Sequence, residues 1–476
     1  MRKKVFEIIL LITIVFFSTV GTVLPQETKE LLTKMGKQLL ISRLEKNIPL
    51  LMDHVNIPGL SIAVIRDGKI IWHKDFGKKN VKTGELVDEN TIFEAASLTK
   101  PFFAYLVMNM VEKGEIDLDR PLVEYVPKDY LEKKYIGHSF DYKGFNRDWF
   151  EKITARMVLS HSSGLPHGGP RKPLPVLFEP STKYRYSADG YLYLQRIIEY
   201  LRDKPLQEIM KTDVIDPLDM KHSSMVWQKR YESQAAVGHN ISGETNGKFR
   251  KRKEAHSGAS LYTTAEDYAK FVTAIMNNKG LKNETIEKML TPAINVSGKV
   301  YWSLGFGVDK TDNGNAFWQW GDYLIFRNFI YAYKDQKIGV VYFTNSENGL
   351  SIGHEIVKLA VGGDAPGLKY LNYLDFNTLS AILIEKEITV DKNILKTYKG
   401  EYQLTPDLII KITLKDGKLM AQATGQGKAQ IFAKSEVEFF YKTVKAEITF
   451  EKDKTGKVTR LILHQNGKDM PAKKIK

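Results

Sequence analysis

Hydrophobic and polar positions divide the chain into stretches of different period. Arg2, Lys3 and Lys4 precede an uncharged apolar run from Ile8 to Leu24. That layout over 1–24 reads as a secretory signal peptide. A run approaching the bilayer core thickness of about 30 Å also serves as an uncleaved membrane anchor. Between Glu27 and His54 the large apolar residues recur at helical spacing, and Pro58-Gly59 ends that element. Leu60–Ile65 and Ile70–Phe76 are β-rich runs around Asp67-Gly68, the pattern of a hairpin. Helical and irregular sequence then dominates from about Thr91 to Asn278, and strand patterns return at Asn328–Tyr333 and Lys337–Thr344. This order predicts an α+β domain over 25–365. Its antiparallel sheet takes strands from both ends of the domain and is flanked by helices, with a helical subdomain inserted between.

The remainder changes character. Gly362-Gly363-Asp364-Ala365-Pro366-Gly367 is rich in turn formers, and 366–390 reads as a linker. From 391 to 476 come short alternating segments: Leu408–Leu414, Lys418–Ala423, Val437–Tyr441, Ala446–Phe450 and Val458–His464. Asp416-Gly417, Gly425-Gln426-Gly427, Thr455-Gly456 and Asn466-Gly467 punctuate them. Such spacing predicts a small all-β sandwich or barrel.

Composition narrows the chemistry. With 476 residues, 43% of them hydrophobic, the chain exceeds one ordinary core and is too apolar for disorder. Cysteine is absent, which excludes disulfides, thiolate metal sites, a cysteine nucleophile and a lipid-modified cysteine anchor. The ten histidines show no H-E-x-x-H spacing, so neither a metal nor an organic cofactor is expected. Net charge is +14, but residues 391–476 hold 18 Lys and Arg against 10 Asp and Glu, more than half of the excess. Those lysines are spread mostly singly, clustering only at Lys473, Lys474 and Lys476, without the arginines and stacking aromatics of a nucleic-acid face, so no nucleic-acid partner is expected.

The sharpest feature is Ala95-Ala96-Ser97-Leu98-Thr99-Lys100-Pro101 before the apolar run Phe102–Val111. Pro101 fits only a first turn, so a helix is expected to start at Ser97 or Leu98. Ser97 and Lys100 then lie one turn apart on one face. A serine hydroxyl needs a base before it attacks, and a lysine sheltered by apolar neighbours can supply one. Alone, S-x-x-K equally describes a capping serine and a surface lysine.

Further motifs follow in order: Met157-Val-Leu-Ser-His161-Ser-Ser-Gly-Leu-Pro166, Tyr184-Arg-Tyr186-Ser-Ala188-Asp189, Ser260-Leu-Tyr-Thr-Thr-Ala-Glu-Asp267, Gln319-Trp320-Gly321-Asp322 and Thr344-Asn-Ser-Glu-Asn-Gly349. The ordered set, over about Asn56 to Gly363, resembles the class C β-lactamase-related serine hydrolases. That family includes penicillin-recognising D-alanyl-D-alanine peptidases, β-lactamases and esterases. The tail, through Leu395-x-x-Tyr398-x-Gly400-x-Tyr402 and Glu438-Phe-Phe440, resembles the small lipocalin-like β-barrel that often follows such domains.

The resemblance implies that Ser97 is acylated and that Lys100 assists its deprotonation. It makes Tyr186 a general base or a proton shuttle to the leaving group. A phenolate would need a cationic neighbour, since tyrosine ordinarily titrates near 10, and Lys100 is the obvious one. The family's third motif, on an edge strand, falls on Gln319-Trp320-Gly321, and the oxyanion hole on the backbone N–H groups of Ser97 and Asp322. Lys82-Thr83-Gly84 and Lys454-Thr455-Gly456 imitate that motif but stand in the wrong order, and both read as turns.

Two positions depart from the family. Ala188 replaces an asparagine, removing an amide that could hold a substrate carbonyl; Asp189 beside it either meets a substrate amine or caps the next helix. Neutral Gln319 replaces a cation that commonly helps bind a substrate carboxylate. Arg327 is the nearest replacement in sequence, and otherwise an exposed strand arginine. Trp302, Phe306, Phe317, Trp318, Trp320, Tyr323 and Phe326 read as core, with one or two free to wall an apolar acyl pocket. His161 and His167 invite a Ser-His reading, but in the family His161 belongs to a structural loop.

The expectation is an exported enzyme, periplasmic or extracellular and tethered to the membrane if the first segment is retained. It cleaves an amide or ester of a small-molecule or peptide substrate, with cell-envelope polymer as a further partner. The alternative is a catalytically weak, penicillin-binding-like sensor of the cell envelope, motivated by Ala188 and Gln319.

Overall fold

In the computed structural model the described residues are 26–476, apart from 138–144, 169–173, 247–248, 385–386 and 466. The basic start and apolar run of 1–24 lie outside them. Among the described residues no helix is long and apolar enough to cross a membrane. The chain divides into two units between Lys46 and Asn47. Helix α1 (Gln26–His54) begins in the first and ends in the second, as its apolar spacing predicts.

An eight-stranded antiparallel sheet organises the larger unit. Its strands are β1 (Gly59–Arg66), β2 (Lys69–Gly77), β5 (Ile294–Ser297), β6 (Val300–Trp302), β7 (Gly307–Thr311), β8 (Gly314–Asp322), β9 (Arg327–Tyr333) and β10 (Ile338–Thr344), in the order β2-β1-β10-β9-β8-β7-β6-β5. The first hairpin therefore pairs with the last strand, Leu60 opposite Thr344, and the sheet closes the helical insertion between its two halves. Asp67 and Gly68 both take positive φ, as the two-residue turn requires. A separate pair, β3 (Phe93–Glu94) with β4 (Tyr262–Thr263), joins the two edges of the insertion.

Helix α2 (Thr99–Glu112) is apolar on almost every side because it is buried on almost every side. The rings of Phe102 and Phe271 meet edge to face, 5.3 Å apart, where α2 packs on α4 (Ala265–Met276). On its other flank Phe103 lies 6.0 Å from Tyr191 of α3 (Ala188–Arg202). The N-terminus of α2 is thus held between the sheet and the helical subdomain, which fixes Lys100 before any substrate arrives.

The stretch 366–390, read from sequence as a linker, carries α6 (Pro366–Leu371) and α7 (Phe376–Ile384), after α5 (Gly353–Ala360). The Gly367 N–H donates to the Asp309 carboxylate, 2.9 Å, tying α6 to the sheet. Beyond it, eight antiparallel strands form a closed barrel: β11 (Gly400–Thr405), β12 (Leu408–Lys415), β13 (Lys418–Ala423), β14 (Ala429–Ala433), β15 (Glu438–Tyr441), β16 (Ala446–Lys452), β17 (Val458–Gln465) and β18 (Lys468–Lys474). Three of these, β11, β14 and β18, and the strands β5–β8 were not legible as strands; β5, Ile294-Asn-Val-Ser297, alternates but is only four residues long. Lys82-Thr83-Gly84 lies in a turn and Lys454-Thr455-Gly456 joins β16 to β17; Gly84 and Gly456 both adopt positive φ.

Candidate active site

Ser97 sits in a tight turn, Ala96–Leu98, that runs directly into α2. Neither Ser97 nor Leu98 caps that helix through its side chain. Ala96, immediately before the serine, has φ of +49°, a left-handed conformation costing about 1–2 kcal/mol in a residue with a Cβ. The surroundings hold it there. The Thr99 hydroxyl donates to the Ala96 carbonyl, 2.6 Å, and accepts from the Leu261 N–H, 3.0 Å. The serine hydroxyl meets Lys100 Nζ and the Tyr186 hydroxyl.

Lys100 is 1% exposed. Its Nζ donates to Ser97 Oγ, 3.1 Å, and to the Gly258 carbonyl, 2.8 Å. Burial brings it down to about 7, with no carboxylate to oppose the effect. In the amine form the Gly258 carbonyl can keep one N–H while the lone pair faces the serine hydroxyl. That is the arrangement a base for Ser97 needs.

Tyr186 approaches from the loop before α3. Its hydroxyl oxygen accepts from Gln319 Nε2, 3.0 Å. Lys100 Nζ lies over the ring face, 4.7 Å from its centroid. Burial pushes the phenol well above its ordinary value, against the smaller opposing effects of hydrogen bonds to Ser97 and Gln319. This corrects the expectation that Lys100 would sustain a phenolate: the cation sits on the ring face and burial dominates. A neutral Tyr186 can still relay a proton. The ring is fixed by His161, 4.3 Å away centroid to centroid, whose Nδ1 accepts from the Ser187 N–H, 3.0 Å. Burial, then the charges of Lys100 and His167, holds His161 well below its ordinary value, so it stays neutral and structural. The His167 ring lies 5.4 Å from Tyr186.

Gln319 is fully buried on β8, with its amide nitrogen directed at three acceptors: the Ser97 carbonyl at 3.1 Å, Tyr186 and its neighbour's carbonyl on Trp320 at 3.1 Å. It therefore binds the nucleophile's turn and the tyrosine together. Strand β8 is not an edge strand of the sheet, contrary to expectation, since β7 and β9 flank it. Its pairing with β7 ends at Trp318, however, so Gln319–Asp322 overhang β7 and form a local edge. Gly321 passes so close to the Ser97 turn that a Cβ there would sit 2.3 Å from the Ala95 carbonyl oxygen. The backbone N–H groups of Ser97 and Asp322 thus belong to two adjoining segments.

The other predicted positions are placed less centrally. Ala188 opens α3, and Ser187 rather than Asp189 caps it, accepting from the Gly190 N–H at 2.9 Å. Asp189 is buried in the first turn, its carbonyl accepting from the Tyr135 hydroxyl, 2.8 Å. Arg327 is neither exposed nor available in place of the missing cation. It pairs with Asp322 at 3.2 Å, donates to the Glu347 carbonyl and covers the Tyr373 ring. Trp302 and Trp318 are core; Trp320 is the half-buried one, 4.7 Å from Tyr186.

Two groups beside Lys100 carried no sequence signal. His256 Nδ1 accepts from the Gly258 N–H, 3.1 Å, shaping the loop whose carbonyl holds Lys100. Burial, then Lys100, brings His256 down to about 4. Gln195 of α3 anchors the same loop by accepting from the Ser257 N–H, 2.9 Å, and donating to the Ala255 carbonyl, 3.0 Å. Among the described residues no group of three His, Asp or Glu side chains converges as metal ligands would.

Comparison with known proteins joins this geometry to a family. The beta-lactamase family model matches residues 44–358. The chain belongs to the beta-lactamase family. Residues 385–474, which include the barrel, match a domain of unknown function, DUF3471. Penicillin-binding protein 4* of Bacillus subtilis is 21% identical over 456 residues, covering 87% of this chain and 95% of that protein. Unguisins hydrolase ungD of Aspergillus violaceofuscus is 25% identical over 253 residues, 46% of this chain and 42% of that protein. Among solved structures, the octameric penicillin-binding protein homologue from Pyrococcus abyssi superposes with a TM-score of 0.55 at 21% identity, over 91% of this chain and all of that one. D-alanine carboxypeptidase AmpC from Burkholderia cenocepacia gives 0.55 at 19% identity, over 68% and 97%. These likenesses share the fold; as a member of the family, the chain is a serine hydrolase.

Proposed function

We propose that this beta-lactamase-family protein is an exported hydrolase that cleaves amides or esters through an acyl-enzyme on Ser97. The observation that carries the reading is Ser97 Oγ at 3.1 Å from a buried lysine brought down to about 7. Neutral Lys100 takes the Ser97 proton as Oγ attacks the substrate carbonyl. The oxyanion is received by the N–H groups of Ser97 and Asp322. As the tetrahedral species collapses, Tyr186 passes a proton to the departing amine or alcohol and recovers one from Lys100. Water then attacks the ester and the same groups run in reverse, releasing acid and free serine.

Gln319 narrows the substrate. A neutral amide occupies the place where relatives carry a cation, and Arg327 is committed to Asp322. Substrates whose binding depends on a carboxylate next to the scissile bond, as in penicillins, are therefore disfavoured against neutral esters and peptide-like amides. Export rests on the basic start and apolar run of 1–24.

The test is steady-state turnover of neutral p-nitrophenyl esters, D-amino-acid amides and a penicillin, by wild type and Ser97→Ala. Sustained turnover of the neutral substrates, lost in Ser97→Ala, is expected. A single stoichiometric burst with no further product would instead favour a sensor, and equal rates in Ser97→Ala would sink the reading.

A further inference from the structure

The two ends of the barrel are built differently. At one end Tyr398, Tyr402, Phe439 and Phe450 close into a cluster, with the Tyr398 and Phe450 rings stacked 4.1 Å apart. At the other, Ala421, Ala423, Ala429 and Ala446 form much of the wall, and Ala421 and Ala429 are directly opposed across β13 and β14. The cavity they leave is about 670 Å³. An eight-stranded barrel has an interior that side chains can just fill, so alanine at four wall positions is what keeps this volume open. The remaining wall is apolar at Leu404, Leu408, Ile410, Leu463 and Met470, and polar at Gln426, Thr443, Gln465 and Lys468. Volume and lining both suit a small apolar ligand, whose sites run roughly 300–1,000 Å³.

The mouth indicates the ligand's other end. Lys468 is exposed there, and among the described residues no carboxylate pairs with it; neighbouring Asp469 is engaged by His464 at 2.7 Å. A second cavity of about 660 Å³ shares Tyr441, Val444, Ala446, Gln465 and Lys468 with the first, and is bounded opposite by Ala381, Ile382 and Ile384 of α7. Val444 and Ile384 are 40% and 73% exposed. The two cavities therefore adjoin at Lys468; apolar residues of α7 wall the outer one on one side, and its two carboxylates, Glu447 and Asp469, are paired with Lys434 and His464.

We propose that the barrel binds the alkyl chain of a single-chain anionic amphiphile, its carboxylate or phosphate held at Lys468. The site involves none of the Ser97 machinery, so its fate and that of the hydrolase reading are independent.

The full chain is titrated with the fluorescent fatty acid cis-parinaric acid, which is then displaced by dodecanoate, dodecyl phosphate or dodecanol. One saturable site per chain is expected. Ala421→Phe, which fills the cavity, should weaken binding at least about tenfold. Lys468→Gln should weaken both anions about threefold and leave dodecanol unchanged. Far-UV circular dichroism checks the barrel; should Ala421→Phe unfold it, the smaller Ala423→Leu replaces it. Absence of saturable binding, or equal binding by a folded, filled variant, overturns the proposal. Equal effects of Lys468→Gln on dodecanoate and dodecanol overturn the head-group assignment.

Discussion

Replacing Lys100 with methionine separates activity from stability. A lysine that titrates near 10.5 unfolded and at about 7 folded opposes folding at every pH below its unfolded value. Below pH 7 both states are protonated at this site and the cost is full, about 5 kcal/mol for the 3.5-unit difference. Between pH 7 and 10.5 it falls by about 1.4 kcal/mol per unit, and above 10.5 it vanishes. Methionine keeps most of the volume and removes the charge but loses the bonds to the Gly258 carbonyl and the Ser97 hydroxyl, together worth about 1 kcal/mol. Lys100→Met should therefore stabilise the fold by about 4 kcal/mol at pH 7 and by about zero at pH 9.5. All six tryptophans, Trp72, Trp149, Trp227, Trp302, Trp318 and Trp320, precede the barrel. Their fluorescence in a urea titration thus follows the Ser97 domain alone. A variant less stable than wild type at pH 7, or a stability difference that does not shrink with pH, would refute the reasoning.

Three other outcomes follow from the same geometry. Acylation of Ser97 by a neutral ester should rise about tenfold per pH unit below 7 and level off above it, because only amine Lys100 accepts the proton; stopped-flow rates across pH 5–9 (about that range suffices) check it. Gln319→Lys should shift the kcat/KM ratio of carboxylate-bearing to neutral substrates by about tenfold toward the former, at some cost in stability from a buried cation. Gly321→Ala must displace either β8 or the Ala95 carbonyl, so acylation should fall about a hundredfold while KM changes little, read from paired kcat and KM measurements.

Ser97 and Lys100 were legible because their spacing carries through a turn into a helix that Pro101 can tolerate only near its start. The hairpin was legible from Asp67-Gly68, and the barrel from β12, β13, β16 and β17, whose faces alternate. Strands β5 to β8 were not: β5 and β6 are only four and three residues long, and β8 is buried on both faces along much of its length and loses its alternation. Gln319 illustrates a finer limit. Sequence marks a missing cation, but only the folded chain places its amide between Tyr186 and the carbonyl of Ser97. Likewise Ala96, His256 and Gln195 act through backbone conformation and loop anchoring, which leave no residue pattern. The protonation states of Lys100 and Tyr186 follow from burial that no local spacing encodes.

The most direct measurement is intact and peptide mass spectrometry of the chain after reaction with a fluorophosphonate at pH 8. One adduct per chain on the peptide containing Ser97 is predicted, absent in Ser97→Ala and formed far more slowly in Lys100→Met. Labelling at another serine, or an adduct that survives Ser97→Ala, would contradict the account.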